Sequence, residues 1–505
     1  MINLTPLIRP YFERRIRESV RWADDPRAEQ ERVLLWLINR AASTEWGRMH
    51  DYGRLSGYAD YRRAVPQTSY REIRERMMRM IAGERDVLWP GVTRRFAQSS
   101  GTSDGKSKYI PVTDDSLRLS HYRGGADVVA RYLHAFPDSR LFSGKGFILG
   151  GSFANELKLP AGSRVRVGDL SANLIENINP LANLVRVPDK ATALMSDWHE
   201  KLPALVEKAI RADVTNISGV PSWFLTVLRE MLKRTGASEI HDIWPNLEVF
   251  FHGGIAFGPY RDQYDAIITP GRMHYMETYN ASEGFFAVQD CPDCRSMLLL
   301  MDVGTFYEFI PADTPDADPV PAWEVEPGRI YALVISSCNG LWRYPLGDTV
   351  KVESVSPLRI TIAGRTKHFI NAFGEEVMVY NTDAAITKAC AATGATVLNY
   401  TVAPVYTSGG TRGRHQWLIE FDNPPADMEV FASLLDRLLT EENSDYQAKR
   451  AGGIFLDRLS VVSAKTGLFD SWLEATGKLG GQRKVPRLSN DRHIMDRMLE
   501  MNQSL

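Results

Sequence analysis

At 505 residues the chain is too long for one ordinary core and points to two or three domains. With 44% apolar, 24% charged and 10% aromatic residues, it is neither a disordered nor a fibrous sequence. Its 60 basic and 62 acidic side chains leave a net charge of −2, which supplies no overall field for nucleic acid or an anionic membrane.

The N-terminus, Met1-Ile2-Asn3-Leu4-Thr5-Pro6, has no basic stretch followed by an apolar core, so it is a poor secretory signal. The best apolar run, Val33 to Ile38, stops after six residues and cannot span a membrane. Four cysteines in so long a chain do not make a disulfide framework. A soluble, cytoplasmic protein is expected.

The first ninety residues read as helical. Phe12, Ile16 and Val20 recur at four-residue spacing, and a second apolar cluster runs through Val33, Trp36 and Leu37. A third helix is expected over Tyr70 to Ile81, ended by Gly83. From Arg95 the texture changes. Short β-rich runs stand at Phe147 to Leu149, Thr215 to Ile217, Leu247 to Phe251 and Ile330 to Ser336. Helical stretches such as Trp198 to Ala212 and Trp223 to Lys233 separate several of them, which argues for an α/β core with a largely parallel sheet.

A domain boundary is expected near Gly364-Arg365. Beyond it lie a helical stretch (Thr382 to Ala392), strands (Thr396 to Val402 and Gln416 to Phe421), another helix (Met428 to Leu439) and a polar tail. That is enough for a small α+β domain.

The most informative stretch runs from Phe96 to Pro111. It contains Ser99-Ser100-Gly101-Thr102-Ser103-Asp104-Gly105-Lys106-Ser107-Lys108. Glycines let the backbone turn its N–H groups towards an anion, hydroxyls add donors, and lysine adds charge. A plain surface turn is one reading. The nucleoside-triphosphate P-loop is another, but three residues rather than four separate Gly101 from Gly105, and Tyr109-Ile110-Pro111 follows where a helix should open. The phosphate loop of adenylate-forming enzymes, Ser/Thr-Ser-Gly-Thr-Ser/Thr with a lysine downstream, fits without adjustment.

Two more motifs follow in order. Tyr279-Asn280-Ala281-Ser282-Glu283-Gly284 offers a ring that can cover a base and a carboxylate that can hold a hard cation. Trp342-Arg343-Tyr344-Pro345-Leu346-Gly347-Asp348 offers an acid that can accept from two ribose hydroxyls, although taken alone it reads better as a tight turn. Cys291-Pro292-Asp293-Cys294 has metal-knuckle spacing but no second pair in range, so zinc is set aside.

Together the three motifs resemble the adenylate-forming superfamily, and within it the Gretchen Hagen acyl-acid amido synthetases. Val87-Leu88-Trp89-Pro90-Gly91, Ser218-Gly219-Val220-Pro221-Ser222-Trp223 and Gly480-Gly481-Gln482-Arg483-Lys484-Val485-Pro486-Arg487 extend the likeness along the chain. The resemblance implies an α/β fold. Residues 1–364 would form a large ATP- and acyl-acid-binding domain with mixed sheets flanked by helices, and residues 365–505 a smaller, mobile α+β domain.

It implies ATP and Mg²⁺ as cofactors, with a small carboxylic acid and an amine or amino acid as partners. No nucleic-acid or membrane partner is expected, and the chain is expected to act as a monomer. Ser99, Ser100, Gly101, Thr102, Ser103 and Lys108 would surround the phosphates, and Gly253, Gly254, Tyr279 and Ser282 the nucleotide. Glu283 would hold magnesium, Asp348 and Arg365 the ribose, and Lys484 would meet the reacting carboxylate and α-phosphate. Val220, Trp223 and Phe224 would line the acyl pocket, unless they simply pack the following helix. Asp104 departs from the family pattern and is expected to point outward. An acyl-CoA ligase and a nucleotide-binding pseudoenzyme stay open as alternatives.

Overall fold

The computed structural model describes residues 3–505 apart from 104–105, 155–156, 158, 160–162, 255–256, 293, 366–368, 371, 373–374, 376, 407–412, 451–455 and 477–484. At 24, 99–103, 106–107, 181, 198, 222, 259, 365, 369, 406, 444–445 and 448 it describes the backbone alone.

The N-terminal helices Thr5–Asp24 and Pro26–Ala41 form a packing layer, but the buried stripe of the first is not the expected one. Val20 is 56% exposed, while Phe12, Arg15, Ser19 and Trp22 face inward. A spacing of four drifts about 40° per step from the 3.6-residue turn, so alternation of three and four follows the buried face better. Arg15 can join that stripe because Asp127 and Asp302 compensate it, at 2.7 and 2.6 Å. The helix Tyr70–Ile81 has the expected bounds, and a Ser69/Glu72 capping box starts it.

The strands, in chain order, are β1 (Arg95–Ser103), β2 (Lys106–Pro111), β3 (Lys145–Ile148), β4 (Arg166–Gly168), β5 (Arg186–Val187), β6 (Val214–Gly219) and β7 (Val249–Gly253). Then come β8 (His274–Ala281), β9 (Gly284–Val288), β10 (Met297–Leu299), β11 (Thr305–Pro311), β12 (Val320–Pro321), β13 (Ile330–Ser337), β14 (Leu341–Val355) and β15 (Leu358–Arg365). Beyond the expected boundary lie β16 (Phe369–Ile370), β17 (Val377–Met378), β18 (Thr396–Tyr406), β19 (Gly413–Asn423) and β20 (Ser460–Ala464).

One 12-stranded sheet runs β12-β11-β13-β14-β15-β10-β9-β8-β7-β6-β3-β5. Its parallel part is β5-β3-β6-β7-β8; from β8 to β12 every pairing is antiparallel. The sheet is therefore mixed rather than largely parallel, in keeping with the class the resemblance implies. The antiparallel half was hidden because its strands, β13 and β14 among them, are buried along most of their length and lack the polar alternation of a half-exposed strand.

Helices Trp198–Ile210 and Pro221–Thr235 cover the parallel half and enclose a core of Phe147, Ile217, Phe224, Phe250 and Trp244. A separate core contains Ile386, Val402, Trp417, Ile419 and Leu435, all between residues 370 and 488. Its sheet, β18-β19-β20, packs against helices Val379–Thr393 and Met428–Glu442. The segment read as a polar tail contains helices and a strand among its described residues. Helices Leu468–Ala475 and His493–Ser504 bury Leu468, Phe469, Trp472, Met495 and Met498 in a cluster with Leu418. Their buried residues recur at helical spacing, Leu468 and Phe469 with Trp472 and Met495 with Met498, a signal that a reading of the stretch as solvated passes over. Among the described residues no helix is long and apolar enough to cross a membrane.

Candidate active site

The parallel strands β3, β6, β7 and β8 end along one edge of the large sheet, and ligands of α/β folds bind beyond such carboxyl ends. Gly253 ends β7 opposite Thr278. A Cβ at Gly253 would stand 2.5 Å from Thr278 O and 2.7 Å from its Oγ1, so only glycine lets the two strands approach here. Tyr279 follows on β8. Ser282 and Glu283 form the two-residue turn between β8 and β9, since Ala281 pairs with Gly284. Two contacts fix that turn. Asn339 Nδ2 donates to Glu283 O at 2.9 Å, and Phe285 N donates to Ser120 Oγ at 3.0 Å. Glu283 is thereby a buried carboxylate on a rigid hairpin.

The third motif lies on β14, where Gly347 takes φ +87° and Asp348 pairs with Arg365 of β15. Four strand positions separate β14 from β8 in the sheet, about 19 Å if it were flat. Yet Tyr279 Oη donates to Asp348 Oδ2 at 2.7 Å, with both residues only 5% exposed. The sheet must curl to bring them together, and irregular pairing after Thr349 of β14 supplies a local bend.

The glycine-rich motif is a hairpin, not a free loop. Ser99 on β1 pairs with Lys108 on β2, and Ser103 with Lys106, with a shift of register between them. Strand β2, not a helix, follows the motif directly, which removes the P-loop reading on structural grounds. Lys108 Nζ donates to Tyr344 Oη at 3.1 Å and stands 5.8 and 5.6 Å from the ring centres of Tyr70 and Tyr344. Tyr70 also accepts from Tyr109 N at 2.8 Å, so helix Tyr70–Ile81 and β14 together grip the second strand of the hairpin. The side chains of Ser99, Ser100, Thr102, Ser103 and Arg365 lie outside the described residues, as do Asp104 and Lys484 entirely.

Of the three acyl-pocket candidates, Val220 caps helix Pro221–Thr235 and Trp223 stands in its first turn, both partly exposed. Phe224 is 0% exposed and packs at 5.3 Å from both Phe147 and Phe250. For Phe224 the packing alternative describes what is observed.

Three polar groups near the strand ends carry no motif. Glu277 pairs in register with His252. Burial raises its carboxyl to about 7. His252 is stacked on Phe257 at 4.5 Å, and burial lowers it to about 3, which keeps it neutral. Lys201 Nζ donates to Gly150 O at 2.6 Å and ties down the loop after β3; burial lowers it to about 8. The available signal was an acid or a histidine set inside an otherwise apolar strand, as in Tyr275-Met276-Glu277-Thr278-Tyr279.

Models of the GH3 family N-terminal, central and C-terminal domains match residues 15–272, 298–365 and 380–493. The chain belongs to the GH3 family. Among curated relatives, the indole-3-acetic acid-amido synthetase GH3.3 of Arabidopsis thaliana is 23% identical, over 92% of this chain and 90% of its own. The jasmonoyl–L-amino acid synthetase GH3.5 of Oryza sativa subsp. japonica is 24% identical, over 67% and 70%. Among solved structures, the acyl acid amido synthetase AtGH3.15 in complex with 2,4-DB superposes with a TM-score of 0.79 at 18% identity, covering 97% of this GH3 chain and 96% of that one. A 2-hydroxyisobutyryl-CoA ligase in the postadenylation state, with 2-HIB-AMP, gives 0.59 at 12% identity, covering 95% and 94%. At such identities these likenesses show the fold.

Proposed function

We propose that this GH3 protein is an ATP-dependent acyl-acid amido synthetase, which adenylates a carboxylic acid and passes the acyl group to the amine of an amino acid. The observation that carries the reading is the Tyr279–Asp348 hydrogen bond, which joins the second and third motifs beside the ends of the parallel strands. A ring against the base and a carboxylate at the ribose then come from one hydrogen-bonded unit. The hairpin with Ser99, Ser100, Gly101, Thr102, Ser103 and Lys108 faces the phosphates in this reading, Gly253 and Gly254 let the base approach the backbone, and Arg365 stands by the ribose.

Magnesium fits the donor set. Among the described residues no three His, Cys, Asp or Glu side chains gather into a protein cage. Glu283, a buried carboxylate on the turn between β8 and β9, is the residue that would hold it, since magnesium is commonly bound through one or two carboxylates together with substrate phosphates. Held there by Glu283, magnesium would supply charge neutralisation to the phosphates.

The substrate carboxylate attacks the α-phosphorus and pyrophosphate leaves; Lys484 neutralises charge on the two reacting anions as they meet. The C-terminal domain (365–505) then turns at Gly364-Arg365 to admit the amine, whose nitrogen attacks the acyl carbon as AMP leaves. The enzyme works in this scheme as a cytoplasmic monomer on small molecules alone. Pyrophosphate release from ATP and magnesium, across aryl and alkyl acids with and without amino acids, tests it. One acid should trigger release, an amino acid should multiply it, and mass spectrometry should find the amide. Release that requires coenzyme A would replace the amine by a thiol and overturn the assignment.

A further inference from the structure

Arg487 stands three residues after Lys484, in a segment fastened to the C-terminal sheet. Thr401 Oγ1 donates to Pro486 O at 2.7 Å, Val402 N to Arg487 O at 2.8 Å, and Ser489 N to Val402 O at 3.0 Å. The Arg487 guanidinium lies 4.2 Å from the centre of the Tyr400 ring, with Asp383 and the Tyr260 hydroxyl as polar neighbours. Tyr400 is itself fixed, donating to Asp383 Oδ1 at 2.5 Å and sharing a 2.9 Å hydrogen bond with Thr382 Oγ1.

Tyr260 belongs to the other domain. It is seven residues beyond Gly253 in sequence, on the segment that leaves the end of β7. Around it, among the described residues, polar contacts join the two domains. Tyr260 Oη donates to Leu398 O at 3.1 Å, Gln263 Nε2 to Val397 O at 2.9 Å, and Arg229 pairs with Asp422 at 2.8 Å.

We propose that Arg487 is the pin that seats the C-terminal domain against Tyr260 for the adenylation step and so sets the reach of Lys484. It is a positioning residue, and the inference rests on the adenylation reading above. Three chain steps span at most about 11 Å, so Lys484 is confined to that radius around an anchored Arg487. Anchoring at Tyr260 places that radius over the segment that leads from Gly253. Arginine suits the task because one planar group can stack on a ring and still present N–H donors at its edge.

The arrangement also favours release. Withdrawing from Tyr260 breaks one hydrogen bond to a neutral hydroxyl, while the charge stays compensated by Asp383 and Tyr400 within its own domain. Seating is therefore reversible without leaving a buried charge unpaired.

The test uses the full-length enzyme and two separate assays. ATP–pyrophosphate exchange reads adenylation, and amide formation from chemically prepared acyl-adenylate plus amino acid reads the second step. Arg487→Met should lower kcat for exchange about 10–100-fold, as misplacing a catalytic group does, with the KM for ATP within about twofold. Amide formation from supplied adenylate should stay within about twofold of the parent. Tyr260→Phe, which leaves Arg487, Tyr400 and Asp383 together, should shift exchange in the same direction and carries the test if Arg487→Met fails to fold. Equal losses in both assays would make Arg487 a structural support only and overturn the proposal, as would unchanged exchange in both variants. Absence of exchange in the parent enzyme with every acid would instead overturn the adenylation reading, and the pin with it.

Discussion

Tyr279→Phe removes one hydroxyl and keeps the ring, so it isolates the bond that joins two motifs. The hydroxyl donates to a buried carboxylate at 2.7 Å. Hydrogen bonds to charged groups contribute about 1.5–3 kcal/mol. The lower end applies, because the ribose hydroxyls offer replacement donors to Asp348 once nucleotide is bound. If the bond holds Asp348 ready for the ribose, about 1.5 kcal/mol raises the KM for ATP roughly tenfold. The ring still covers the base, and Glu283 and Lys484 are untouched, so kcat should fall less than about threefold. ATP–pyrophosphate exchange at saturating acid gives both constants, and a thermal unfolding curve without nucleotide gives the stability change. A KM within twofold of the parent together with a lowered unfolding midpoint would show that the bond only supports the fold. A hundredfold loss of kcat at unchanged KM would put the hydroxyl in the chemistry and refute the reasoning.

Gly253→Ala forces a methyl group to within 2.5 Å of Thr278 O, and overpacking of that kind costs about 1–3 kcal/mol; AMP affinity measured by calorimetry should drop at least as steeply as stability. Lys108→Met should lower kcat/KM for ATP by about 10–100-fold, and Tyr344→Phe, which removes the hydroxyl acceptor but keeps the ring, by less than about tenfold; equal effects would show that the hydroxyl, not the ammonium, matters. Glu277 carries a pH signature. Burial raises its carboxyl to about 7 in the folded chain, above its ordinary value near 4.5, so the folded state binds the extra proton. Its contribution is fully present below pH 4.5 and is lost as pH rises through 7. Glu277→Gln should therefore gain up to about 3 kcal/mol over the parent at pH 8 and almost nothing at pH 4, read from denaturant unfolding at both.

Residues whose role is local could be read from the sequence. The capping box at Ser69 and Glu72 announces its helix, Pro221 starts the helix after β6, and the three site motifs are legible because each is a short contiguous stretch with its own chemistry. What depends on distant partners could not be read. Arg15 is buried only because Asp127 and Asp302, more than a hundred residues away, compensate it. The contact between Tyr279 and Asp348 needs the curl of a sheet whose strand order is not sequential. Phe224 looked like a pocket wall because it follows a family motif, whereas its own helix phase turns it to the core.

That last residue links two positions. A Cβ at Gly219 would meet Phe224 Cε2 at 2.8 Å, so the ring already fills the space a larger residue would take at the end of β6. Gly219 also takes φ +158°, a conformation that strains any larger residue, so shrinking Phe224 alone does not free the position. Changes of acid preference are then expected at the partly exposed Val220 and Trp223 rather than at Gly219 or Phe224.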